Sequence, residues 1–242
     1  MARWFTADLH LSHQNIIRFC DRPFTTDAYV AGVLTHVGDT HHMNEGIVTA
    51  INSTVTEDDE LWILGDVALG NVDSSLPIIR RLRAGRIVLV AGNHDRCHPS
   101  NGPKHERWID RYATSIGIDT LILTETTLTL PGGTSVLVNH FPYPSNRPGG
   151  ARPGRGTDGT PVADRFADWR PADTGGWLLC GHAHDAFRQQ GRQINVGLDA
   201  WAGHPVQDIT VEALIHAGPA DLPALRWQNR SGPPPAEENP DA

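Results

Sequence analysis

The sequence predicts a mixed α/β fold in one large domain, with helices covering the faces of its sheets. Short runs rich in Val, Ile, Leu and Thr, bounded by Gly, Pro or Asp, read as strands. Helix-period segments alternate with these runs in the first half of the chain, and hairpin signals dominate the second half. At 242 residues there is enough chain for one substantial core.

The strand candidates are Arg3–Ala7, Glu60–Leu64, Arg86–Ala91, Asp119–Thr124, Thr126–Leu130, Thr134–Asn139, Gly176–Cys180 and Gln193–Val196. Pro131-Gly132-Gly133 lies between two alternating runs and marks a hairpin, and Gln190-Gly191 is a weaker signal of the same kind. The helix candidates are Asn44–Asn52, Ser75–Arg83, Lys104–Thr114 and Asp208–His216. Ser74 is placed to cap the second, with Pro77 early enough to be tolerated. In the third, Trp108, Ile109 and Tyr112 recur at helical spacing and belong on a core-facing side.

Two segments break this order. Residues 144–173 form a Pro/Gly/Arg-rich insertion carrying Arg147, Arg152, Arg155, Arg165 and Arg170. Its simplest reading is a solvated loop, and a substrate-binding lid is the other use of such a segment. From Gly218 the chain turns polar and Pro-rich and reads as a disordered tail. The expected organisation is one domain over residues 1–217, with the insertion at 144–173 and the tail at 218–242.

The formal net charge of −8 argues against a protein that coats extended nucleic acid, which would carry excess Lys and Arg. A small phosphorylated substrate remains compatible with it. No apolar stretch reaches the roughly 18 residues a bilayer span requires, and the start lacks the basic and apolar regions of a signal peptide. Cys20, Cys97 and Cys180 show no paired spacing, which points to a reducing compartment and a soluble cytoplasmic protein.

Chemistry enters where apolar runs give way to turns. The fragments are D-x-H at Asp8 and His10, G-D at Asp66, G-N-H-D with Asn93 and His94, a histidine at His140, and G-H-x-H with His182 and His184. Taken singly, each fragment is as easily a turn or a helix cap. Taken together they follow apolar strands in one order, and their carboxylates, amide and imidazoles are ligands that divalent transition metals accept. The set points to a two-metal hydrolytic site.

With these motifs the chain resembles the calcineurin-like metallophosphoesterases, in their small single-domain bacterial and phage form. The resemblance runs from about Arg3 to Gly203 and includes LHLSHQNIIRFCDRPF and INVGLDAW. It implies a four-layer αββα sandwich with the site at strand ends. It also implies that Asp8, His10, Asp66 and His184 hold one metal ion. Asp66, Asn93, His140 and His182 would hold the other, with Asp66 as the bridge. A metal-bridging hydroxide would attack phosphorus in line, and His94 would be the non-ligand general acid beside the leaving group. Asn93 would also contact substrate. His13, offset from His10, has two readings: a substrate contact at the cleft mouth or a structural hydrogen bond.

The histidine-rich ligand set favours Mn, Fe, Zn, Co or Ni over Mg, which prefers oxygen. The GDxxDRG and GNHE patterns of protein Ser/Thr phosphatases are absent, since Asp66 continues as Val67-Ala68 and Asp95 as Arg96-Cys97. Without that phosphate-gripping arginine the sequence leans toward a phosphodiesterase acting on a small nucleotide-like substrate, such as a nucleotide or cyclic nucleotide. The alternatives are a broad phosphomonoesterase, a nuclease, or a non-catalytic metal-binding scaffold on the same fold. Retention of His94 and of a complete ligand set argues against the scaffold. Cys180 and the histidines outside the motifs read as packing or surface residues.

Overall fold

A computed structural model describes residues 1–30, 33–114, 116–144 and 164–227. In chain order the first strands are β1 (Arg3–Thr6), β2 (Thr25–Val30), β3 (Val33–Gly38), β4 (Glu60–Ile63), β5 (Arg86–Val90) and β6 (Thr120–Ile122). They are followed by β7 (Glu125–Thr129), β8 (Ser135–Asn139), β9 (Trp177–Cys180), β10 (Gln189–Gly191), β11 (Gln193–Asn195), β12 (Val206–Gln207) and β13 (Ala220–Leu222). The helices are α1 (Gln14–Phe19), α2 (Thr40–Asn52), α3 (Val72–Ser75), α4 (Glu106–Thr114) and α5 (Asp208–Ala217), with a 3-10 turn at Leu76–Arg81 continuing α3.

One sheet has the order β12-β1-β4-β5-β6 and the other β13-β10-β11-β9-β8-β7, while β2 and β3 pair as a separate hairpin. Alternation of side chains along each strand explains how the sheets pack. Phe5, Trp62, Leu64, Val88 and Val90 of the first sheet meet Val136, Val138, Leu179 and Ile194 of the second in one buried layer. The alternate residues Leu61, Ile63, Ile87 and Leu89 face the other way, onto Ile16, Ile17, Met43, Ile47, Ile51, Ile79 and Tyr112 of the covering helices and turns. At roughly 1.5–3 kcal/mol for each fully buried large aliphatic or aromatic side chain, these two layers dominate the fold. On the far side of the second sheet, Leu137, Leu178 and Cys180 gather a smaller cluster with Tyr143 and Phe187. Among the described residues that outer layer comes from loops rather than a long helix. The expected mixed α/β double-sheet architecture is present.

The strands that precede motifs run parallel to one another: β1 with β4 and β4 with β5 in one sheet, β8 with β9 and β9 with β11 in the other. Parallel strands end on the same edge, so every motif is delivered to one side of the molecule. The two sheets are stitched there by a parallel bridge between Ala7 and Gly197. This edge holds the site.

Several local expectations need correction. The second helix begins at Thr40 rather than Asn44, because Asp39 caps it by accepting from His42 N at 3.0 Å. Asn71, not Ser74, caps α3, and the stretch after Ser75 tightens into 3-10 geometry with Pro77 in its first turn. Lys104 and His105 lie in a preceding 3-10 turn, so the third predicted helix starts at Glu106. Tyr112 is fully buried, and Trp108 and Ile109 pack against the same core as expected.

The tail reading from Gly218 is overturned for its first part. Residues Ala220–Leu222 pair with β10, Leu225 bridges to Trp201, and Trp227 packs against the core. The remainder, 228–242, lies outside the described residues. Within the insertion, residues 145–163, with Arg147, Arg152 and Arg155, also lie outside them. From Asp164 the chain is ordered onto the body: Arg170 pairs with Asp164 and donates to the Pro142 carbonyl at 3.0 Å. All three cysteines are free and buried. No helix among the described residues is long and apolar enough to cross a membrane.

Candidate metal centre

Asp8 and His10 follow β1, Asp66 follows β4, and Asn93 and His94 follow β5. From the second sheet, His140 follows β8, while His182 and His184 follow β9. Each turn is sharp. Asp8, His10, Asp66, His182 and His184 all adopt positive φ, between 47° and 64°. Left-handed backbone is costly for residues with a side chain, and its concentration here marks a site held in place by its surroundings.

The ligand-type atoms fall into two groups. Those of Asp8, His10 and His184 all lie within 4.8 Å of one another, and so do those of Asp66, His140 and His182. Asn93 joins the second group, with its Oδ1 3.1 Å from His140 Nε2 and 2.9 Å from His182 Nδ1. Asp66 Oδ2 stands between the groups, 3.6 Å from His10 Nε2 and 3.5 Å from His140 Nε2. The structure therefore brings together all seven residues expected as metal ligands.

Their surroundings suit divalent ions. Asp8, His10, Asp66 and His140 are at most 1% exposed. Both ring nitrogens of His10 are buried without a hydrogen-bond partner among the described residues. An imidazole left so is costly unless another partner takes a nitrogen lone pair. Burial, followed by the charge of His184, holds His10 well below the usual imidazole range. Burial and then His140 do the same for His182. Both stay neutral, the form that ligates metals. Burial pushes Asp8 above the usual carboxylate value against the pull of His184. For His184, burial opposes the charged form, but Asp8 and Asp199 outweigh it and raise the ring well above the ordinary range. Metal uptake would release that proton.

The loops holding these groups are locked together by Asp95, whose carboxylate accepts from Asp66 N at 2.9 Å, Val67 N at 3.1 Å and Gly92 N at 2.8 Å. Burial first and Asp66 second push its pKa up to about 7. Gly65 has a φ of 86° and lies where a Cβ would come within 2.5 Å of His140 Nδ1. That ring nitrogen is 2.8 Å from the Leu64 carbonyl, which leaves Nε2 facing the site.

His94 lies at the rim. It is exposed, belongs to neither donor group, and its backbone N–H donates to Asp66 Oδ1 at 2.8 Å. Its ring lies 5.3 Å from that of His10. His13 sits beside the same ring at 5.4 Å, and its Nδ1 is buried with no partner among the described residues. The structural hydrogen bond read as one use of His13 is not found at that atom. At the opposite edge, Phe166 packs on His182 and Phe141 at ring distances of 5.7 and 5.2 Å, so the end of the insertion returns to the site.

Sequence reading missed a supporting layer. Asp199, fully buried, lies with Oδ2 2.7 Å from His184 Nδ1 and is gripped on both oxygens by the buried Arg22. Burial alone would raise its pKa, yet Arg22 and His184 hold it well below the usual carboxylate range. Cys20, His184 and Asp199 also converge, but Arg22 occupies both Asp199 oxygens. The signal available in the sequence was position: Asp199 follows β11 just as the candidate ligands follow their strands.

Two carboxylates, an amide and four imidazoles thus lie in two adjoining groups, each of which could hold a metal ion. The family model described as Calcineurin-like phosphoesterase matches residues 32–186, and the chain belongs to that family. The matched range excludes Asp8, His10 and Asp199, which the fold joins to the site. The chain is similar to the Gene 66 protein of Mycobacterium phage L5, 29% identical over 225 residues covering 88% of this chain and 94% of that protein. It is also similar to the Gene 66 protein of Mycobacterium phage D29, 32% identical over 212 residues covering 82% and 88%. A protein of unknown function from Aquifex aeolicus shares the fold, with a TM-score of 0.54 and 20% identity over 88% of this chain and 98% of that one.

Proposed function

We propose that this protein is a dinuclear-metal phosphodiesterase acting on a small nucleotide-like substrate. The observation that carries the reading is the position of Asp66 Oδ2 between His10 Nε2 and His140 Nε2, which gives one carboxylate to both donor groups. Asp8, His10, Asp66 and His184 would hold one divalent ion, and Asp66, Asn93, His140 and His182 the other. When bound, two such ions supply positive charge for the phosphoryl oxygens and activate water for in-line attack. Four imidazoles favour Mn, Fe, Zn, Co or Ni.

The remaining chemistry belongs to the chain. His94, exposed at the rim and outside both donor groups, is positioned to give a proton to the departing oxygen. The hydrogen bond from its backbone to Asp66 fixes that position against the bridge. His13 and Asn93 line the approach and would contact substrate. A monoester dianion gains more from an arginine fork than a diester monoanion does. Among the described arginines, Arg22 is engaged by Asp199 and Arg170 by Asp164, while Arg96 lies over the Trp108 ring and Arg165 over the Phe166 ring. That supports the diester preference. The net charge of −8 supports a small substrate over extended nucleic acid, and three free cysteines support a reducing compartment such as the cytoplasm.

Elemental analysis of the metal-saturated protein should find two ions per chain, and a stoichiometry fixed at one overturns the dinuclear reading. The kcat/KM for bis-p-nitrophenyl phosphate should exceed that for the monoester. The reverse order would reassign the substrate to phosphomonoesters.

A further inference from the structure

Trp227 carries no motif, yet it closes the layer behind the site. Its indole Nε1 donates to Asp199 Oδ1 at 2.8 Å, and its ring lies 5.5 Å from the Arg22 guanidinium and 5.5 Å from the Phe24 ring. Gly203 makes room for it, since a Cβ there would come within 2.2 Å of the indole. Backbone bonds from Leu225 N to the Ala200 carbonyl at 2.9 Å, and from Ala202 N to the Leu225 carbonyl at 3.2 Å, bring the segment to this place.

Arg22 connects what Trp227 covers to two candidate ligands. Its Nε donates to Asp199 Oδ1 at 2.8 Å and its Nη2 to Asp199 Oδ2 at 2.9 Å. Nη2 also reaches the Asp8 carbonyl at 2.7 Å, and Nη1 reaches the Leu9 carbonyl at 2.9 Å. One buried guanidinium thus fastens the left-handed turn at Asp8 to the carboxylate that faces His184 Nδ1. Asp8 and His184 belong to the same donor group, together with His10. Among the described residues no corresponding link reaches His140, which is oriented instead by the Leu64 carbonyl.

We propose that Arg22, Asp199 and Trp227 form a clamp that orients Asp8 and His184, making Trp227 a positioning residue for one metal ion of the pair. This rests on the dinuclear reading above. Ligand-orienting partners of this kind are worth about 10–100-fold in metal affinity. Removing Arg22 or Asp199 would strand a buried charge and threaten the fold. The test therefore falls on Trp227→Phe, which keeps a stacked ring and loses only the indole N–H and part of the ring area.

Mn²⁺ titration of the full-length metal-free protein, followed by calorimetry, reads each site when the other is disabled. In a His140→Ala background, which retains Asp8, His10 and His184, Trp227→Phe, one contact further out than Asp199, should weaken binding by up to about 10-fold. In a His10→Ala background, which retains Asn93, His140 and His182, it should change nothing. Equal losses in both backgrounds, or no loss in either, would overturn the clamp. Should Trp227→Phe melt early without metal, Trp227→Tyr provides a second ring without an indole N–H. Because the readout is binding, wild-type protein that loads two ions but hydrolyses no ester removes the proposed function and leaves the clamp standing. Wild type that binds nothing at Asp8, His10 and His184 overturns both.

Discussion

Replacing Gly92 with alanine should damage the candidate metal centre while leaving the fold in place. Gly92 does not occupy the left-handed region, so alanine can adopt its backbone without strain. The added methyl meets the site itself. A Cβ built there lies 2.4 Å from Asp66 Oδ1, 2.6 Å from Asp66 N and 2.8 Å from His140 Cε1, where ordinary contact begins at 3.4 Å. Relief requires a displacement of about 1 Å. Asp66 cannot simply swing away, because His94 N holds its Oδ1 at 2.8 Å and Asp95 holds its own N–H at 2.9 Å. The displacement must therefore separate Asp66 from His140, pulling one donor group away from the bridge. Overpacking of this size costs about 1–3 kcal/mol, and a misplacement of about 1 Å costs roughly 10²-fold in rate. The assays are the melting temperature without metal, ion content after saturation, and kcat/KM on bis-p-nitrophenyl phosphate. Gly133→Ala is the control: it has a φ of 89° but nothing within 4 Å, so it should lose a little stability and no metal. A Gly92→Ala protein that loads two ions and turns over at the wild-type rate would refute the reasoning.

His94→Ala should keep both ions and lose about 10²–10⁴-fold on an alkyl- or ribose-leaving diester but far less on a nitrophenyl ester, whose leaving group hardly needs a proton. Equal losses on both substrates, or loss of an ion, would remove its acid role. His98 is held at about 4, first by burial and then by the charge of His140, against an ordinary 6.5. The unfolded chain takes that proton first, so the stability from neutral His98 is present above pH 6.5 and is lost as pH falls from 6.5 toward 4. Melting of the metal-free protein should show this acid limb, flattened in His98→Asn, and an unchanged slope would count against it. At Asp66, where φ is 57°, glycine should be more stable than alanine by about 1 kcal/mol in metal-free protein, the reverse of the usual order. Chemical denaturation of Asp66→Gly and Asp66→Ala compares them directly, and an alanine advantage would show that the turn is unstrained.

What the sequence disclosed and what it hid divide along a physical line. The central strands were legible because burial on both faces demands continuous Val, Ile and Leu, as in Arg86–Val90. The candidate ligands were legible because metal chemistry accepts few residue types, and parallel strands carry those types to one edge whatever lies between them. Of the elements that were missed, β2 and β3 pair locally as a hairpin and α1 has only six residues, whereas β13 has three and exists by pairing with distant β10. Arg22 and Asp199 belong to the same class. Each stands in a turn-like context, Cys20-Asp21-Arg22-Pro23 and Gly197-Leu198-Asp199, where a charge ordinarily faces water. Either alone would be expensive to bury; together, 177 positions apart, they are fully enclosed at 2.8 Å. Such a pair leaves no local pattern. What it does leave is position, for Arg22 lies in the stretch after the first motif and Asp199 beyond the end of β11, beside the ligand-bearing β9. A charged residue just past a parallel strand on the site edge is a candidate for the supporting layer even when no ligand pattern includes it. The 2.7 Å contact of His184 with Asp199 is the kind of orienting bond that, in the proposed site, would make that layer part of the chemistry along with the candidate ligands.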